Sequence, residues 1–209
     1  MEEFKHTGSK VVLTEGKNDC HVILALCQHH SLPETFGFWD CGSDTQLLKT
    51  MSAFLVRSEP LIAMAVVLDA DNPNLSSKWA SIKGRLEKEQ YTVPDTPHSE
   101  GSILRQEGRP TVGIWLMPNN NVDGMLEDFC TQLAPAESMK FSGECVKSAE
   151  DKGFSSFIPN HRSKAEIHTY LAWQDEPGRP LGQAITAKCL DPEHPIARQF
   201  ADFLERVFS

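Results

Sequence analysis

The sequence predicts an α/β domain: an open, mainly parallel sheet of four strands, with helices on both faces and additional C-terminal helices. Three observations carry that expectation. Over the first 117 residues, short β-branched runs alternate with segments of helical apolar spacing, the pattern of parallel strands joined by crossover helices. The run LIAMAVVLDA (61–70) is apolar enough to be buried on both faces, as the central strands of such sheets are. Beyond residue 118 the pattern becomes helical.

In order, KVVLTEG (10–16) is a β-branched run ending in glycine and reads as the first strand, and DCHVILALCQHHS (19–31) has helical spacing. FGFWDCG (36–42) reads as the second strand. SDTQLLKTMSAFLVRSE (43–59) is a helix that Ser43 or Asp44 can cap, with Leu47, Leu48, Met51 and Leu55 on one face. IAMAVVLDA (62–70) is the third strand, NLSSKWASIKGRLEKEQ (74–90) a charged amphipathic helix, and TVGIWLMP (111–118) the fourth strand. Residues 91–110 between them are a polar excursion or an inserted hairpin. Helical patterns follow at 125–135, 143–153, 163–174 and 194–208. The expected division is an α/β domain over 1–130, with 131–209 a helical extension packed on the same domain. Trp39, Trp79, Trp115 and Trp173 all sit in apolar segments and read as core.

Composition narrows the function classes. The 209 residues carry a net charge of −9, which argues against a broad basic face for nucleic acid; contact with a polyanion must be local or assisted by metal. Cysteines 20, 27, 41, 130, 145 and 189 form no C-x-x-C pair, so neither a zinc ribbon nor a disulfide framework is suggested. No apolar run reaches the ~20 residues of a membrane helix and the N-terminus lacks a signal-peptide core, so a cytoplasmic protein is expected. EGKND lacks the G-x-x-x-x-G-K-[ST] spacing of a phosphate-binding P-loop.

The chemistry lies in the carboxylates. Asp69 and Asp71 are two residues apart, so on an extended chain both side chains leave the same face and can share one cation. Glu15 ends the first strand and Asp19 follows four residues later. In the simplest strand order, 2-1-3-4, the first and third strands are neighbours where the order reverses, and ligands of open α/β sheets bind outside the carboxyl ends of the strands there. Four carboxylates in one pocket repel and raise one another's pKa values, and a divalent cation removes that cost. An all-oxygen set favours Mg2+ or Mn2+ over zinc. Such ions serve phosphoryl chemistry, in two-metal sites at a separation of ~3.5–4 Å. Each acid taken alone can instead be a helix cap or turn former. Glu127 and Asp128 open a later helix, where the dipole favours them whatever their role; Glu127 is the better candidate for lining the pocket. His161 and His168, seven residues apart near a helix start, can face together as a proton-transfer pair or be ordinary surface histidines.

VVLTEGKND followed by AVVLDADN resembles the Toprim domain, the metal-binding α/β module of topoisomerases, bacterial primases and several nucleases. That family places a Glu at the end of the first strand and D-x-D at the end of a later one, which maps onto Glu15, Asp69 and Asp71. Asp19 is similar to the second acid of the overcoming-lysogenization-defect nucleases. GIWLMPNNNVDGMLEDF and SKAEIHTYLAWQ resemble a small family of stand-alone Toprim-like proteins. Toprim nucleases also carry a late lysine, which the resemblance maps onto Lys164, for contact with phosphate. Asn72-Pro73 stands where many Toprim proteins have glycine. Haloacid-dehalogenase-like phosphatases also use D-x-D, but after the first strand.

The resemblance implies a Mg2+- or Mn2+-dependent nuclease acting on DNA or RNA. In it Glu15, Asp69 and Asp71 hold metal, Asp19 and Glu127 support a second ion or position water, and Lys164 meets the phosphate. Two other readings stay open: a non-enzymatic metal- or nucleotide-binding module that works through a protein partner such as an ATPase, and a primase-like nucleotidyl transferase. The acidic balance favours the module.

Overall fold

The computed structural model describes residues 4–59, 61–70 and 74–209; Asp71 and Asn72-Pro73 therefore lie outside the described residues. Five strands form one sheet: β1 (Lys10–Thr14), β2 (Gly37–Asp40), β3 (Ala63–Asp69), β4 (Ser102–Leu104) and β5 (Thr111–Met117). Their order is β2-β1-β3-β5-β4, with β4 antiparallel and the rest parallel. The three central positions are those expected. The fifth strand is the difference, since part of the 91–110 excursion pairs with β5 as a hairpin, Ile103 opposite Gly113. Three residues of strand in a polar segment are too short for a period-2 pattern to register. This mixed α/β architecture is compatible with the Toprim-like fold that the motifs imply.

The alternation of residues in β3 sorts the core. Ala63, Ala65 and Val67 belong to one buried cluster, and Met64, Val66 and Leu68 to the other. The second face is covered by α2 (Asp44–Leu55) and α3 (Leu75–Lys88), through Leu47, Met51, Trp79 and Ile82. The first is covered by α1 (Lys17–His29), α4 (Leu126–Gln132), α6 (Arg162–Leu171), α7 (Leu181–Thr186) and α8 (Pro195–Phe208). Ile167, Leu171, Leu181 and Phe200 thus share one apolar cluster with Val12 and Trp115. The remaining helix, α5 (Ala136–Asp151), packs along α6, where the Ser142 hydroxyl donates to the Glu166 carbonyl.

Two helices differ from expectation. α5 starts seven residues before residue 143, because Gly143 lies within it rather than at a break; a Cβ there would stand 3.4 Å from Glu166. α7 is only six residues long, too short for a helical period to emerge from the sequence. Of the four tryptophans, Trp79 and Trp115 are buried, Trp39 is partly covered, and Trp173 is 46% exposed beside Phe141.

Gly113 shows how closely α8 approaches the sheet. A Cβ on this β5 residue would sit 2.3 Å from Val207 and 3.0 Å from Phe203. Gly113→Ala is expected to lower unfolding stability by about 1–3 kcal/mol through overpacking, read by urea denaturation.

Candidate metal and phosphate cleft

The strand order reverses between β1 and β3, and at their carboxyl ends a cleft of about 650 Å³ opens. Glu15, Asp19, Asp69, Glu127 and Lys164 all line it, together with His161. Thus five of the six expected residues come to one place from four separate segments, and the sixth, Asp71, lies outside the described residues. His168 is not among the residues lining the cleft.

Backbone amides hold the carboxylates. The Asp69 N–H donates to Glu15 Oε1 at 2.7 Å, fastening the end of β1 to the end of β3. Asp69 Oδ1 in turn accepts the Leu126 N–H at 2.9 Å, which brings the start of α4, and so Glu127, to the strand end. The Ala70 N–H donates to the Gly124 carbonyl beside it. Glu127 is buried, and its Oε1 lies 2.9 Å from Lys164 Nζ, which reaches in from the first turn of α6.

Asp19 is the most strained of the acids in electrostatic terms. It sits in the first turn of α1, 7% exposed, with Oδ1 buried and without a hydrogen-bond partner among the described residues. Burial, then the neighbouring charge of Glu15, and to a lesser degree that of Glu127, raise its pKa to about 7. A buried carboxylate oxygen without a hydrogen-bond partner is the environment a cation relieves, and all-oxygen donors are those a hard divalent ion takes; no three of the described cleft acids, however, bring ligand atoms within 4.8 Å of one another.

The Asn119–Asn121 turn that precedes α4 is structural. Asn120 is buried in the left-handed region (φ 63°), its Oδ1 accepts the Leu116 N–H, and its Nδ2 donates to the Ser99 carbonyl. Asp123 accepts the Leu75 N–H and so ties this loop to the start of α3.

The sequence matches, over residues 9–209, the model of a family described as protein of unknown function, DUF3226. The chain belongs to this family. No curated protein matches it. Among solved structures it is similar to the C-terminal region of the Xanthomonas campestris pv. campestris OLD protein, at 12% identity and a TM-score of 0.45, over 97% of this chain and 96% of that one.

One wall of the cleft in this DUF3226 member was not legible in the sequence. Gly42, Ser43, Asp44, Lys17 and Lys78 also line the cleft. Ser43 caps α2 by accepting the Gln46 N–H. Lys78 is only 4% exposed and places Nζ 3.1 Å from Asp44 Oδ2. Burial opposes ionisation of Asp44, but the hydrogen bond and charge of Lys78 outweigh it and leave the carboxyl below its usual range. In sequence, Lys78 is one of several lysines on a charged helix, and nothing in its spacing separates it from the solvated ones.

Proposed function

We propose that this protein is a divalent-metal-dependent nuclease, hydrolysing phosphodiester bonds of DNA or RNA in the cleft at the ends of β1 and β3. The observation that carries this reading is the convergence of Glu15, Asp19, Asp69 and Glu127 on one cleft with Lys164 among them. Glu15, Asp19, Asp69, Asp71 and Glu127 would hold Mg2+ or Mn2+. When bound, the ion lowers the pKa of a water and polarises the phosphoryl oxygen.

The chain's own residues do the rest. The Glu15–Asp69–Leu126 hydrogen bonds fix the carboxylates before substrate arrives, so little reorganisation is left for the reaction. Lys164 leans on Glu127 in the free protein and turns its ammonium to the charge that develops on the phosphate in the transition state. Lys17 at the cleft offsets part of the repulsion between a protein of net charge −9 and a polyanion, while Lys78 is already paired with Asp44.

The test is cleavage of plasmid DNA and single-stranded RNA with Mg2+ or Mn2+, wild type beside the Asp69→Asn, Asp71→Asn double variant. Cleavage lost in a folded variant is the expected result, and equal cleavage by both overturns the assignment. A second reading, a binding module completed by a protein partner such as an ATPase, is favoured by the exposed rings of Phe141 and Trp173, 5.4 Å apart between centroids. A folded wild type that binds Mn2+, cuts neither substrate and co-elutes with an ATPase would select it.

A further inference from the structure

The end of α1 away from the cleft carries a second constellation. His29 ends the helix and His30 follows, their rings edge to face with centroids 5.0 Å apart. Against them stands the Asp-Pro-Glu-His turn that leads into α8. His29 Nε2 lies 2.6 Å from Glu193 Oε1, and His30 Nε2 lies 2.9 Å from the Pro192 carbonyl oxygen. One potential ligand atom from each of His29, His30 and Glu193 falls within 4.8 Å of the others, and among the described residues this is the only such set of three.

We propose that His29, His30 and Glu193 form a zinc site that clamps the end of α1 to the start of α8. The donor set is two imidazoles and a carboxylate, which suits Zn2+ and discriminates against Mg2+. The supporting contacts have the form such sites use. A carbonyl oxygen can only accept, so His30 donates its Nε2–H to Pro192 and keeps the Nδ1 lone pair for a metal. The second oxygen of Glu193 is held by Arg198, which orients the carboxylate while Oε1 faces His29.

His29 and Glu193 are hydrogen-bonded at 2.6 Å. Two ligands on one tetrahedral zinc stand about 3.3 Å apart, given bonds of ~2.0–2.1 Å. Zinc therefore enters by displacing the shared proton and parting the two groups by less than an ångström, and its uptake releases protons. His29 is ten residues along α1 from Asp19, about 15 Å at the helical rise, so this ion cannot serve the cleft. The site is independent of the nuclease reading.

The experiment is Zn2+ titration against a chromophoric chelator, with excess Mg2+ present to occupy all-oxygen sites. One Zn2+ per chain is expected for the wild type and for a cleft variant, Asp19→Asn with Glu127→Gln. The His29→Ala, His30→Ala variant should bind at least ~100-fold more weakly, since loss of an outer partner alone costs about 10–100-fold. Glu193→Gln, on the exposed turn, should weaken binding without altering α1, and Co2+ bound by the wild type should show visible absorption that the histidine variant lacks. Equal zinc affinity in the wild type and the His29→Ala, His30→Ala variant, or no zinc bound by the wild type, overturns the site.

Discussion

Without divalent cations at pH 8, the Asp19→Asn protein is expected to resist urea better than the wild type. Asp19 is nearly buried, and its pKa stands at about 7 against an ordinary 3.8. Between those values the folded chain keeps a proton that the unfolded chain releases, so wild-type stability falls as pH rises from about 4 to about 7 and stays low above that. Three pKa steps correspond to at most on the order of 4 kcal/mol, shared with the coupled acids Glu15 and Glu127. Asparagine carries no charge to penalise, so its advantage should be large at pH 8 and vanish below pH 4. Adding Mg2+ should reverse the order, because the wild type gains binding free energy in the folded state that the variant has lost. Urea midpoints at pH 4 and pH 8, with chelator and with Mg2+, check all three statements. An Asp19→Asn protein that is no more stable than wild type in chelator at pH 8 would mean that the carboxylate is not carrying the cleft's electrostatic cost.

Lys164→Met is expected to lower the turnover number of cleavage by about 10²–10³-fold while leaving KM nearly unchanged, because the ammonium is used mainly in the transition state. Lys164→Arg should recover part of the loss. The same substitution removes the cation 2.9 Å from Glu127, a carboxylate that is 6% exposed. Lys164 itself is 45% exposed, so solvent screens the pair and the stability cost should be only ~1–2 kcal/mol. Adding Glu127→Gln should give back most of that stability without restoring turnover. Single-turnover rates and urea midpoints on the three proteins separate the two effects. A fall in KM-related binding with turnover intact would place Lys164 in ground-state binding instead.

The two acids at the strand ends were legible because a buried strand leaves few explanations for a charge at its mouth, and Glu15 and Asp69 each follow such a run. Asp19 followed from its spacing, since a carboxylate four residues after Glu15 falls in the next helix's first turn. Glu127 and Lys164 could be named only as candidates. Both sit in first turns where charge is common, and only the tertiary contact between α4 and α6 pairs them. Lys78 was not seen, because burial of one lysine among several on α3 depends on how α2 and α3 meet across β1 and β3. The short β4 and α7 fall below the length at which a period can be counted.

Glu15 and Asp69 each accept a main-chain amide, so the proposed metal ligands also brace the fold. An alanine allele at either codon removes charge and brace together, whereas the isosteric amide keeps an oxygen in place to receive the N–H. Genetic screens that equate the two would confuse collapse with inactivity. If the proposed nuclease role holds, the separation-of-function allele at these positions is the amide, which would yield a correctly folded but silent protein.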